Sequence, residues 1–282
     1  MIDGSSMSSE ASNAGDSLHA TAPHAWVAFR HWRYRHGLKS TAKLVLPDFL
    51  GIGAQKAGTT WLHANLSAHP GIFMPPQAKE VHFFDRHILN YGLEGYSTLF
   101  RPGWGKVKGE ITPAYSIISP RRIRFVRAVM PNVKLIFLMR NPIDRAWSHA
   151  LMTLVTNPGR SLDQVTDAEF LTHFQSPASL SRGNYPAILD HWLAHFPRRQ
   201  MFIGVFDDLR RRPRHLLTEI FAFLNVQVDV DFSKLPCDQP VFKGPDAPLP
   251  PPLRTILLEM YEKDIRQLSD RFAAPADRWL AG

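Results

Sequence analysis

The sequence predicts an α/β fold in three layers, with a central, mostly parallel sheet flanked by helices. Two observations predict it. Apolar runs at 48–53, 106–110, 133–139 and 201–206 are short and continuous, as strands buried on both faces are. Helical periodicity recurs between and after them, at 58–68, 120–130, 142–155, 184–195, 211–224 and 251–270. This alternation, running from residue 47 onward, is the pattern of βα units. With 282 residues, 44% hydrophobic and 21% charged, the chain suits one domain with a sizeable core.

The first strand leads into the most informative turn. Phe49, Leu50 and Ile52 precede Gly53-Ala-Gln-Lys-Ala-Gly58, and Trp61, Leu62, Leu66 and His69 follow on a helix. A strand, a Gly-rich turn and a helix N-terminus form an anion cradle. The turn aims backbone N–H groups inward, and the helix dipole adds partial positive charge. A nucleotide phosphate is the expected occupant, so the fold expected is P-loop-like. Gly53 and Gly58 keep the spacing of a P-loop, but Thr59 and Thr60 stand where an ATPase has its Lys-Ser/Thr. The lysine lies inside the loop as Lys56, and the magnesium-holding arrangement is missing.

The third strand candidate, Val133-Lys-Leu-Ile-Phe-Leu-Met139, ends at Arg140, where an ATPase often places an acidic magnesium ligand. Asn141-Pro142 then supplies an N-cap and a proline for the first helical position. Ser148 follows Arg140 by eight residues, about two helical turns, and can face the same ligand.

These segments resemble the sulfotransferases that use 3′-phosphoadenosine 5′-phosphosulfate (PAPS). Their 5′-phosphosulfate loop is matched by Gln55-Lys-Ala-Gly-Thr-Thr-Trp61, and their 3′-phosphate segment by Arg140-Asn-Pro-Ile-Asp-Arg-Ala-Trp-Ser148. Lys79-Glu-Val-His-Phe-Phe-Asp85 and Gly109-Glu-Ile-Thr-Pro-Ala-Tyr115 are similar to the heparan sulfate type. So are Gly183-Asn-Tyr185 with Leu189 and Trp192, the Phe242-Lys-Gly244 loop, and the closing pattern Leu253, Tyr261 and Trp279. The resemblance runs from about residue 46 to 280. It implies a domain over 46–282 that transfers a sulfuryl group from PAPS and releases 3′-phosphoadenosine 5′-phosphate. No metal is required.

The resemblance also assigns roles. The cofactor is expected on Gln55, Lys56, Ala57, Gly58, Thr59, Thr60 and Trp61, with its 3′-phosphate on Arg140 and Ser148. Phe242, Lys243 and Gly244 would close over it, with Phe242 packing on adenine or simply in the core. Lys56 would stabilise charge on the leaving phosphate. The base is Glu80 or His82. Glutamate is the expected base in the heparan sulfate type, and histidine usually fills that role in the cytosolic small-molecule enzymes. Two residues apart, the pair shares a face if the segment is extended. Asp85 would support it. Structurally, Glu80 has an alternative as a surface partner of Lys79 or Arg86. Glu110 and Tyr115 are expected beside the acceptor, although Ile111 stands where many relatives have Lys.

The remaining features bound the function. A net charge of +8 suits anionic ligands or surfaces. One cysteine, Cys237, excludes an intrachain disulfide. Residues 1–22 read as a disordered tail, and 23–45 as a basic aromatic segment. Within that segment, 25–36 offers either a docked helix or peripheral contact with an anionic membrane. Residues 156–182 lack periodicity and suggest a lid or substrate loop, and 236–252 read as a proline-stiffened loop. No signal peptide or membrane span is expected, which suggests a soluble bacterial enzyme in the cytoplasm, in places at the inner membrane face. No nucleic-acid-binding signature is present. The acceptor expected is a carbohydrate, lipid head group or small metabolite, modified at a hydroxyl or an amine. Two other classes stay open: a basic membrane- or polyanion-binding protein with a degenerate site, and a kinase with a variant P-loop.

Overall fold

The computed structural model describes residues 24–239 and 247–281. The tail 1–22 and the segment Phe242-Lys243-Gly244 lie outside the described residues. In chain order the elements are α1 (His24–Arg35), β1 (Phe49–Gly53), α2 (Thr59–Ala68), β2 (Ile72–Phe73), α3 (Gly92–Thr98), β3 (Val107–Ile111) and α4 (Pro120–Val129). There follow β4 (Lys134–Met139), α5 (Pro142–Ala150), α6 (Asp167–Phe174), α7 (Pro177–Gly183), α8 (Tyr185–Leu193) and β5 (Met201–Val205). The remainder is α9 (Phe206–Arg211), α10 (Pro213–Leu224), α11 (Pro251–Phe272) and α12 (Ala276–Ala281).

The five strands form one parallel sheet in the order β2-β3-β1-β4-β5. β1 is central, with Leu50 opposite Glu110 on one side and Leu135 on the other. Phe49, Leu50, Ile52, Leu135, Ile136 and Phe137 are all fully buried, because helices cover both faces. Chain order reverses direction across the sheet at β1, so the crevice at the carboxyl ends of β1 and β4 is where an open α/β sheet receives a ligand.

The four strands and six helices read from periodicity are all present within a few residues. β2 went unread because two residues carry no period. The expected lid at 156–182 is instead ordered. Thr166 and Glu169 form a capping box that starts α6, and the Ser176 side chain accepts from Ser179 N at the start of α7. α11 extends the expected helix and begins at Pro251, inside the stretch read as a proline loop. Its buried stripe of Leu253, Leu257, Tyr261, Ile265 and Leu268 packs beside buried Trp279. Gly183 has no room for a side chain, since a Cβ would lie 2.5 Å from the Tyr261 hydroxyl.

α1 is a docked helix. Buried His31 and Tyr34 face the domain, and the Tyr34 hydroxyl donates to Glu94 at 2.8 Å. Phe29 and Trp32 remain about half exposed. Among the described residues, no helix is long and apolar enough to cross a membrane.

Candidate active site

The turn expected to cradle an anion forms where the spacing of the glycines places it. After β1 the chain turns through Ala54–Gly58, and Gly58 takes a left-handed φ of 83° at the start of α2. A Cβ there would lie 2.5 Å from Leu209 Cδ1, so glycine is needed both for conformation and for space. Lys56 also takes a positive φ, 68°, which few non-glycine residues adopt and which marks a constrained turn. Thr59 is buried and Thr60 half-buried on the first turn of α2. Ala57 is sealed in the core. Trp61, expected beside the cofactor, is buried, and its indole N–H donates to the Cys237 carbonyl at 2.9 Å. It pins α2 to a distant segment.

Arg140 joins the two phosphate-type motifs. Its Nη1 donates to the Lys56 carbonyl at 3.1 Å, and its guanidinium lies over the Phe206 ring, 4.9 Å from the centroid. Asn141 caps α5 by accepting from Ile143 N at 3.0 Å, which fixes the strand-to-helix bend. Ser148 lies half-buried on α5. Burial lowers the pKa of Lys56, and the nearby charges of Arg140 and Lys79 lower it further. Burial likewise lowers that of Arg140. Two desolvated cations side by side favour an anion between them. Gln55 Oε1 and Arg140 Nε, on the same two segments, are buried without partners. The two desolvated cations therefore fit a ligand that carries anionic groups, as a nucleotide does.

Sequence reasoning missed the polar cluster behind Arg140. Arg145 is completely buried, and its Nη2 donates to the Ser179 carbonyl at 3.2 Å and the Tyr261 hydroxyl at 3.4 Å. Its Nε and Nη1 have no partner. His149 and His173 lie 3.0 Å apart beside it. Burial, then Arg145, pushes the His149 pKa down to about 3, so that imidazole stays neutral. The signal was present in the motif: an arginine five residues after Arg140, on the helix that also carries Ser148.

Glu80 and His82 come together, though not through an extended segment. His82 has a left-handed φ of 55° and starts a π-turn over Phe83–His87. That turn brings His82 Nε2 to 3.2 Å from Glu80 Oε2 and His82 Nδ1 to 2.8 Å from Asp85 Oδ2. Lys79 Nζ lies 3.1 Å from Glu80 Oε1. Because Lys79 also depresses the Lys56 pKa, the carboxylate–imidazole chain and the anion cradle share one electrostatic neighbourhood. His63 feels both Lys79 and Glu80, a further neighbour the sequence did not reveal.

Glu110 and Tyr115, expected beside the acceptor, are turned into the core. Both are sealed, at 1% and 0% exposure. The Tyr115 hydroxyl donates to Glu110 at 2.9 Å and the Thr112 hydroxyl at 2.7 Å, with Tyr96 as a further donor. Tyr115 and Thr112 in turn accept from the backbone N–H groups of Phe83 (2.9 Å) and Val81 (3.1 Å). The end of β3 thus holds the Glu80–Asp85 segment from beneath. Burial raises the Glu110 pKa to about 7, against the opposing pull of its hydrogen bonds from Tyr96, Thr112 and Tyr115.

A family model described as a sulfotransferase domain matches residues 46–238. The chain belongs to the sulfotransferase family. It is 30% identical over 203 residues to the bifunctional heparan sulfate N-deacetylase/N-sulfotransferase 1 of Caenorhabditis briggsae, covering 66% of this chain and 23% of that protein. To the heparan sulfate glucosamine 3-O-sulfotransferase 3B1 of Homo sapiens it is 32% identical over 191 residues, 64% of this chain and 47% of that one. The chain therefore spans less than half the length of either relative. A sulfotransferase structure from Alicyclobacillus acidocaldarius superposes with a TM-score of 0.64 at 26% identity, over 83% of this chain and 98% of its own.

Proposed function

We propose that this sulfotransferase moves a sulfuryl group from PAPS to an acceptor hydroxyl or amine, with residues 46–282 as its catalytic domain. One observation carries the reading. Lys79 pairs with Glu80 at 3.1 Å and its charge also acts on Lys56, which supports a proton acceptor and an anion cradle working together. PAPS, when bound, supplies the sulfuryl group and departs as 3′-phosphoadenosine 5′-phosphate. Lys56, Thr59, Thr60 and the N–H groups of the α2 start would hold its 5′ end. Arg140 and Ser148 would hold the 3′-phosphate.

The chain's own residues supply three actions. Lys56 balances negative charge on the departing phosphate oxygen. Glu80 takes the proton that the acceptor loses as its new bond to sulfur forms. His82, donating Nδ1–H to Asp85, turns Nε2 toward Glu80 and can share that proton. The base is then a pair, with Glu80 facing the acceptor.

Thermal unfolding of the full chain with 3′-phosphoadenosine 5′-phosphate, against ATP with magnesium, tests this. At roughly 100 times its dissociation constant a ligand adds about 2.7 kcal/mol, a shift of several degrees. A shift with the 3′-phosphorylated nucleotide alone is expected. A shift only with ATP and magnesium would favour phosphoryl transfer. No shift with either would favour a binding role with a degenerate site.

A further inference from the structure

A cavity of about 800 Å³ opens beside Asp85, at the end of the Glu80–His82–Asp85 chain. α1, the π-turn, the 113–117 turn, and the starts of α4 and its N-cap enclose it, with the end of α7 on one side. Its charged lining is almost of one sign: Arg35, Arg86, Arg121, Arg122 and Arg182 against a single carboxylate, Asp85. Arg122 Nη1 donates to the Asp85 carbonyl at 2.7 Å, which fixes that guanidinium at the wall. Arg182 is half-buried, and its Nε has no partner. Asp85 gives Oδ2 to His82, while its buried Oδ1 has no partner. The cavity therefore touches the Glu80–His82–Asp85 chain directly.

The rest of the lining is apolar. Phe125 is buried at the base, and Ile88, Leu89, Ile117 and Trp32 continue outward. Trp32 and Leu89 are 48% and 38% exposed, and Phe29 stacks on Trp32 at 6.0 Å, so an apolar rim runs from the cavity onto the surface of α1. The volume is that of a small-molecule site. Arginine forks match phosphate oxygens in pairs; Arg86 Nε lies 3.5 Å from Asp85 Oδ2, and five arginines around that one carboxylate leave a surplus of positive charge that favours an anion. α1 lies before residue 46, so this wall is outside the region that the family model matches.

We propose that this cavity is the acceptor subsite and that it takes an anionic amphiphile: a hydroxyl-bearing phosphate ester with an aliphatic body. The phosphate lies among the arginines, the body runs along Trp32 and Leu89, and the hydroxyl reaches Glu80 past Asp85. Transfer breaks the sulfur–oxygen bond to the nucleotide phosphate, forms one from sulfur to the acceptor oxygen, and delivers the hydroxyl proton to the Glu80–His82 pair. The transfer step rests on the sulfotransfer reading, whereas binding in the cavity does not.

Calorimetric titration of the full chain with dioctanoyl phosphatidylglycerol below its micelle concentration tests the subsite, with octyl glucoside and glycerol 1-phosphate as comparisons. Phosphatidylglycerol should bind at least about tenfold more tightly than either, the equivalent of one charged or apolar anchor. Arg121→Gln and Trp32→Ala should each weaken it by about three- to tenfold, with affinity for 3′-phosphoadenosine 5′-phosphate unchanged as the control for folding. Equal binding of octyl glucoside or glycerol 1-phosphate would overturn the proposal. So would unchanged affinity in both variants, or binding only to phosphatidylglycerol vesicles, which would indicate a membrane surface. Binding of the amphiphile without a nucleotide response would keep the subsite and sink sulfotransfer; the reverse pattern would sink the subsite alone.

Discussion

Arg140 Nη1 donates to the main-chain carbonyl of Lys56 at 3.1 Å, tying the end of β4 to the turn after β1. The two segments that the sequence singles out separately are thus one structural unit. Arg140 shapes the cradle as well as charging it.

Arg140→Ala should therefore weaken 3′-phosphoadenosine 5′-phosphate by roughly 10- to 100-fold, the scale of a lost charge-assisted hydrogen bond. Arg140→Lys should recover only part of this, because a single ammonium cannot hold the Lys56 carbonyl and a phosphate with one planar fork. Calorimetry of the three proteins checks it, and equal affinities would remove Arg140 from the site.

Glu80→Gln should cut turnover by about 10²-fold or more with little change in nucleotide affinity, as loss of a general base does. His82→Asn should cost less if Glu80 faces the acceptor and more if His82 does. Release of 3′-phosphoadenosine 5′-phosphate under saturating PAPS and acceptor measures both. Near-normal turnover in Glu80→Gln would move the role to His82.

Tyr115→Phe removes the hydroxyl that accepts from Phe83 N and donates to Glu110. Leaving these buried groups short of a partner should cost about 1–3 kcal/mol in denaturant unfolding. Turnover should fall more than nucleotide affinity, since Tyr115 holds the segment that follows Glu80 and His82 and not the turn after β1. A variant that loses neither stability nor rate would show that the 81–84 backbone needs no brace.

Glu110 gives a pH test. Burial keeps its carboxyl protonated up to about pH 7, against an ordinary value of 4.5. The folded chain then holds a proton that the unfolded chain has lost, so this contribution is complete below about 4.5 and disappears as pH rises through about 7. Comparing wild type with Glu110→Gln, which cannot titrate, isolates the effect. The stability of wild type relative to the variant should fall by on the order of 3 kcal/mol between about pH 4.5 and pH 8. Parallel curves would show that Glu110 is ionised throughout.

The sheet was legible because β1 and β4 are buried on both faces, with β3 and β5 partly so, and β1, β4 and β5 are short continuous apolar runs. α6 and α7 were not, since helices of seven or eight residues are too short to show a period. Their caps, Thr166 with Glu169 and Ser176 before Pro177, were the available signal. At the site, Lys56 and Arg140 could be read because glycine spacing and a strand end fix where they point. The burial of Glu110 and Tyr115 was not legible, for the opposite reason. A motif shows which residues lie near a cleft, but it does not show which of them turn inward to hold the backbone. Arg145, His149 and Lys79 matter through burial and charge from other elements, which no local pattern carries.

The most direct test of the account is the preference for a 3′-phosphate, because it requires Arg140, Ser148 and the Lys56 turn to act on one ligand. Calorimetric titration with 3′-phosphoadenosine 5′-phosphate and with adenosine 5′-phosphate measures it. The account predicts that the 3′-phosphate tightens binding by about 10²-fold or more, as several charge-assisted hydrogen bonds do. Equal affinity for the two nucleotides would contradict it.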